Sequence, residues 1–144
     1  MATTVATRQV PFAPPLLGGA EIAEVVATLE SGWLSTGPRV AAFEQAFAEY
    51  TGARHAVAVN SCTAALHLSL LAAGIGPGDE VITTPLAFCA TANAILHTGA
   101  IPVFADIDRS TQNLDLRHAA AVITPRTKAI LPVHFAGRPI DAAG

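Results

Sequence analysis

Residues 57–68 carry the densest chemical signal in the chain: an apolar run, Val57-Ala58-Val59, a polar turn, Asn60-Ser61-Cys62-Thr63, then Ala64-Ala65-Leu66-His67-Leu68. The pattern predicts a buried strand, a tight turn and a helix. The first helical amides, which have no internal acceptors, then meet the Ser61 and Thr63 hydroxyls at one spot. Such a spot binds phosphate, because the helix dipole also favours an anion there. A second segment, residues 85–93, places Phe88 just after the following strand. A phosphate cradle beside an aromatic plate suits a flat, phosphorylated cofactor. On the residues alone two plainer readings stay open. Ser61-Cys62-Thr63 also reads as a helix N-cap, and a lone Phe is usually core.

The remaining polar residues are less specific. Trp33-Leu34-Ser35-Thr36-Gly37-Pro38 reads as a loop. Trp33 anchors it by burial, and Ser35 and Thr36 either cap a helix opening at Pro38 or face a ligand. His55, His67, His97, His118 and His134 form no pair with metal-ligand spacing, so no metal site is expected. His134 falls at a strand end and either reaches the pocket or does not. Asp106 and Asp108 turn the chain after a strand, and Arg126 and Lys128 read as a solvated turn. Lys128 is the only lysine, and its setting is not that of a cofactor-bearing one.

The elements that must position these residues alternate. Residues 1–18 read as an extended arm, since Pro11, Pro14 and Pro15 discourage helix. A helix is predicted over 20–31, with Ile22, Val25, Val26 and Leu29 on one face and Gly32 as its stop. A second amphipathic helix buries Val40, Phe43, Phe47 and Tyr50. From there strand 55–59 leads to helix 63–73, strand 80–83 to helix 88–98, strand 101–106 to helix 116–123, and strand 128–133 follows. Another helix is predicted after Pro139. Strand–helix alternation predicts an α/β fold with a mainly parallel sheet and flanking helices. Ligands collect at the carboxyl ends of such strands, where Asn60, Ser61, Phe88, Asp106 and His134 fall.

Composition excludes several classes. Of 144 residues, 51% are hydrophobic and 13% charged, and the net charge is -3. No basic cluster exists, which argues against nucleic acid as a partner. Residues 55–78 and 81–105 lack Asp, Glu, Lys and Arg, but proline, glycine and polar residues interrupt both stretches. Buried strand–helix units explain them better than membrane spans do. Residues 1–10 contain no apolar core of a secretory signal. Cys62 and Cys89, without CxxC spacing, read as reduced thiols of a cytoplasmic protein. So little polar material for a small surface suits the interior part of a larger protein.

The chain resembles the N-terminal part of the DegT/StrS family of pyridoxal-phosphate-dependent nucleotide-sugar aminotransferases. The likeness rests on residues 32–38, 60–70 and 74–82, on 85–93 and 99–108, and on Pro125-Arg126-Thr127-Lys128-Ala129-Ile130-Leu131-Pro132-Val133-His134, in that order. The resemblance implies a fold-type-I large domain, incomplete here and spanning 19–144 behind the arm. The cofactor it implies is pyridoxal 5'-phosphate (PLP). By resemblance, Ser61, Cys62 and Thr63 hold the cofactor phosphate, Phe88 stacks on the pyridine ring, and Ser35, Thr36 and Gly37 lie on the substrate side. Glycine is usual where Cys62 stands, and a positive φ there would strain cysteine. The family's cofactor-bearing lysine and its pyridine-facing aspartate fall past the last residue, so no catalytic residue is expected in this chain.

The full-length protein is then expected to be a homodimer. It would move an amino group, from glutamate, to a keto group on a nucleotide-sugar, for surface glycans or glycosylated metabolites. Two alternatives stay open: a sugar dehydratase of the same fold, with histidine at the lysine position, and a non-catalytic truncated remnant. A generic nucleotide-binding domain ranks last, because no Gly-x-Gly-x-x-Gly turn or Gly-Lys-Ser/Thr loop is present.

Overall fold

A computed structural model describes residues 13–141; the arm residues 1–12, Pro11 among them, and the helix expected after Pro139 beyond residue 141 lie outside the described residues. Residues 139–141 are not helical. The chain divides between Ala58 and Val59 into two compact units.

The first unit holds α1 (Gly19–Glu30) and α2 (Pro38–Thr51). Glu21 reaches back to accept the Gly18 N–H at 2.7 Å, tying off one amide that the helix leaves unpaired. That bond and the Glu21 backbone amide hold its carboxyl below the usual carboxylate range, the residue's own amide contributing most. Gly32, at φ 73, ends α1 in the left-handed conformation that glycine adopts freely. Pro38 occupies the first position of α2, as its missing N–H allows. Arg39 of α2 pairs with Glu24 of α1.

Two expectations about elements fail here. The apolar face of α2 is not buried: Phe43 and Phe47 are exposed and Tyr50 is 90% exposed. Neither helix buries any residue. Two helices and a loop supply too few apolar neighbours to close a core of their own. The strand expected over 55–59 is also absent. A strand exists only where a neighbour completes its hydrogen-bond ladder, and none lies beside this segment among the described residues. Its Ala58 N–H goes instead to the Glu44 carboxylate at 2.8 Å.

The second unit contains α3 (Cys62–Ala72), β1 (Glu80–Thr83), α4 (Ala90–His97), β2 (Ile101–Phe104), α5 (Leu116–Ala121) and β3 (Thr127–Ile130). The strands form a parallel sheet in the order β2-β1-β3. This is the α/β architecture expected from the alternation. β1 is central, and all four of its residues are buried. Successive side chains of a strand point to opposite faces. Val81 accordingly packs with Leu70, Ile75, Ala94, Ile95 and Ala100, and Ile82 with Ala105, Leu114 and Ala119. α3 and α4 thus supply one layer and α5 the other. Gly74 and Gly99, at φ 75 and 84, turn the chain after α3 and α4 as expected.

Glu80 opens β1 and is buried. Its carboxylate accepts the Thr124 hydroxyl and the Arg126 guanidinium, whose Nε lies 2.9 Å away. Arg126 sits at an exposed turn, as expected, and is in addition half of a clasp between β1 and the turn before β3. The Thr124 hydroxyl first, and Arg126 second, hold the Glu80 carboxyl below its usual range.

Candidate functional site

The turn before α3 is built by its own residues. Ser61 is extended (φ -160, ψ 156), and its Oγ accepts the Ala64 N–H at 3.1 Å. Its carbonyl accepts the Ala65 N–H at 3.0 Å. The capping role is thus observed directly, and it satisfies the third helical amide. The amides of Cys62 and Thr63, at the first two helical positions, have no acceptor within the helix. Cys62 has no positive φ, so a side chain there costs no backbone strain. The cap uses only one lone pair of the Ser61 oxygen. Its proton points at Asn60 Oδ1 across a long 3.5 Å. Asn60, Ser61 and Cys62 are exposed, and no acidic residue stands in the first turn to repel an anion.

Phe88 lies past the carboxyl end of β1, just ahead of α4, and is 80% exposed. It is not a core residue of this chain. The loop that carries it is pinned at its start, where the Leu86 N–H donates to Thr84 Oγ1 at 3.2 Å. α3 and α4 pack on one another through Leu70, Ala94 and Ile95. His67 and His97 meet edge to face there, their ring centroids 5.7 Å apart.

These groups suit part of a phosphorylated aromatic cofactor: two free amides and a hydroxyl for the phosphate, an exposed ring for a flat heterocycle. The only lysine, Lys128, is the second residue of β3, whose first residue pairs with Glu80 at the amino end of the sheet. That is the opposite edge from Phe88. Among the described residues no three His, Cys, Asp or Glu side chains converge as metal ligands. No helix among them is long and apolar enough to cross a membrane.

Ser35, Thr36 and Gly37 belong to the first unit. There Ser35 and Gly37 line a cavity of about 340 Å³ with Thr28, Trp33 and Arg39, while Thr36 is not part of its wall. Neither hydroxyl caps α2; Gly37 occupies the cap position, with no side-chain bond. Trp33 is not buried but 57% exposed. A Cβ at Gly37 would lie 2.8 Å from the Trp33 ring, so glycine is what lets the indole fold back over the cap.

Asp106 and Asp108 turn the chain after β2. Asp108 Oδ1 accepts the Ser110 amide and hydroxyl and the Thr111 amide, at 2.9, 2.6 and 2.9 Å. The Ser110 hydroxyl is the largest cause of its lowered carboxyl pKa. Asp115 caps α5 and pairs with Arg117, which holds its carboxyl down to about 2. Sequence reasoning missed Asn113, which is 3% exposed. Its side chain binds the segment after β3, and its own local pattern, a polar loop, gives no sign of that.

Comparison with known proteins gives the family. The model of the DegT/DnrJ/EryC1/StrS aminotransferase family matches residues 15–143. The spore coat polysaccharide biosynthesis protein SpsC of Bacillus subtilis is 64% identical over 131 residues, 91% of this chain and 34% of SpsC. Spr1654 of Streptococcus pneumoniae, solved in its PLP form, superposes with a TM-score of 0.89 at 43% identity, over 93% of this chain and 34% of that one. An aminotransferase from Psychrobacter cryohalolentis gives 0.84 at 41% identity, over 90% and 33%. The chain spans about a third of the length of each.

Proposed function

The chain belongs to the DegT/DnrJ/EryC1/StrS aminotransferase family, and on that premise we propose that it supplies the cofactor anchor of a PLP-dependent sugar aminotransferase. The single observation behind this reading is the start of α3. There Ser61 caps the helix while leaving the Cys62 and Thr63 amides open, in a unit where exposed Phe88 sits in the loop after the next strand. In this reading residues 19–144 are part of the PLP-binding large domain, behind an arm over 1–18.

When bound, PLP supplies an electron sink for breaking the C–H bond beside nitrogen. The chain's own residues bind and orient it. The amides of Cys62 and Thr63 and the hydroxyls of Ser61 and Thr63 hold the phosphate at the positive end of α3. The Phe88 ring covers one face of the heterocycle, fixing its tilt and excluding water from that face. Ser35, Thr36 and Gly37 of the first unit are assigned to the substrate by their match to the family's loop. The complete enzyme transfers the amino group of an amino acid, glutamate, to a keto nucleotide-sugar. It works as a cytoplasmic homodimer in building surface or secondary-metabolite sugars. SpsC, by name a polysaccharide biosynthesis protein, supports the sugar assignment.

The test uses the product of the whole coding frame that contains this chain. It is loaded with PLP and mixed with glutamate, and the cofactor spectrum is followed. We expect conversion of PLP to its amine form with release of 2-oxoglutarate, and weaker PLP binding in Phe88→Ala by about tenfold. Full PLP affinity in both Phe88→Ala and Ser61→Ala would overturn the assignment.

A further inference from the structure

We propose that His134 is a hydrogen-bond donor to an oxygen of the ligand held at the carboxyl edge of the sheet, and that buried Asn113 is the residue that positions it. The proposal rests on the function inferred above. Past its formal end, β3 stays beside the central strand. The Leu131 N–H donates to the Ile82 carbonyl at 2.8 Å, and Thr83 Oγ1 donates to the Leu131 carbonyl at 2.8 Å. His134 follows three residues later, past the same carboxyl edge of the sheet as the loop that carries Phe88.

The chain then makes a turn that its sequence does not favour. Phe135–Gly137 is a single 3-10 turn, and within it Ala136 sits at φ 51, ψ 30. That left-handed region suits glycine, and an alanine stays there only when its surroundings impose it. Asn113 imposes it. Its Oδ1 accepts the Phe135 N–H at 2.9 Å, and its Nδ2 donates to the carbonyls of Arg138 and Pro139 at 3.0 and 3.2 Å. One buried amide thus grips both sides of the turn.

The turn in turn fixes the imidazole. The Ile140 N–H donates to His134 Nδ1 at 3.1 Å. Nδ1 is therefore the acceptor nitrogen, and the proton of the neutral ring sits on Nε2. His134 is exposed, so Nε2–H is free to donate. A donor held in one tautomer at this edge suits an acceptor oxygen, either on the cofactor or on the substrate that meets it.

The whole gene product is labelled with 15N on histidine and examined by NMR, alongside PLP and glutamate titrations of wild type, Asn113→Leu, His134→Phe, His134→Gln, Phe88→Ala and Ser61→Ala. We expect His134 in the Nε2–H form in wild type and mixed tautomers in Asn113→Leu. His134→Phe should weaken ligand binding about tenfold, with partial recovery in His134→Gln, which keeps an N–H donor. A loss for PLP alone assigns the contact to the cofactor; a loss only for glutamate binding to the loaded protein assigns it to the substrate. The inference falls if His134→Phe changes neither affinity while Phe88→Ala or Ser61→Ala weakens PLP. It also falls if wild-type His134 carries its proton on Nδ1. If Phe88→Ala and Ser61→Ala have no effect either, the assignment of the site itself fails. His134→Phe alone decides the contact should Asn113→Leu not fold.

Discussion

Single atoms decide what the turn before α3 can do. At Ser61 the oxygen is committed to capping α3, so in the proposed site phosphate binding falls to the amides beside it and to the hydroxyl protons. Replacing Ser61 removes a cap and a donor together, and the two effects separate only if stability and affinity are both measured. Gly37 gives a cleaner residue-scale prediction, because the space over it belongs to the Trp33 ring. Gly37→Ala should push the indole out of the cavity wall and cost about 1 kcal/mol or more, as overpacking does. A red-shifted, more quenchable Trp33 fluorescence would report it, and Trp33 is the only tryptophan. An unchanged spectrum would show that the ring does not pack there. The residues proposed for this chemistry stand out in the sequence because each follows a local signal: a polar turn before an apolar helix, an aromatic after a strand, a proline after a glycine. Asn113 was not, because its partners lie 22 to 26 residues away and no local pattern encodes them.

At the scale of elements, the helices and strands of the second unit were readable from period and punctuation. Strand β1 was located to the residue, and Gly74 and Gly99 fall where the helices turn out. The strand expected over 55–59 failed for the converse reason. Its composition favours a strand, but pairing is non-local, and no neighbour lies beside it among the described residues. The clasp of Arg126 and Thr124 on Glu80 escaped for the same reason, since it spans 46 and 44 residues. The Glu80 carboxylate, which ties two elements together, and the Asp115 carboxylate, which caps α5, both have lowered pKa values, which fixes the direction of the acid response. Asp115 falls from its usual 3.8 to about 2 when folded. Its stabilisation is complete above 3.8 and is lost as the pH falls toward about 2, where the folded state also takes the proton. Glu80 behaves in the same sense below its usual 4.5. Chemical unfolding across this window should therefore show stability falling with acid, with a shallower slope in Asp115→Asn. Identical slopes for wild type and variant would contradict the Asp115–Arg117 cap.

Each unit exposes much apolar surface among the described residues. In the first unit the α1 side chains Ile22, Val25 and Leu29 and the α2 ring of Phe43 are exposed. In the second, Leu68 and Leu71 of α3 and Phe104 and Ile130 of the sheet edges are exposed as well. Helices apolar on more than one face and open parallel edges are features that complete domains cover. Residues 1–144 expressed alone should therefore aggregate or bind a hydrophobic dye strongly. A monodisperse monomer with a sharp thermal transition would show that these faces need no partner. The amphipathic patterns of α1 and α2 were legible, but what they pack against is not a property of a local window.

A crystal structure of the whole gene product with PLP tests the proposed roles of the α3 start and the Phe88 ring most directly. The predicted result is a phosphate within about 2.7–3.2 Å of the Cys62 and Thr63 amides, with the Phe88 ring stacked on the pyridine. A phosphate bound elsewhere, with those amides facing only water, would contradict it.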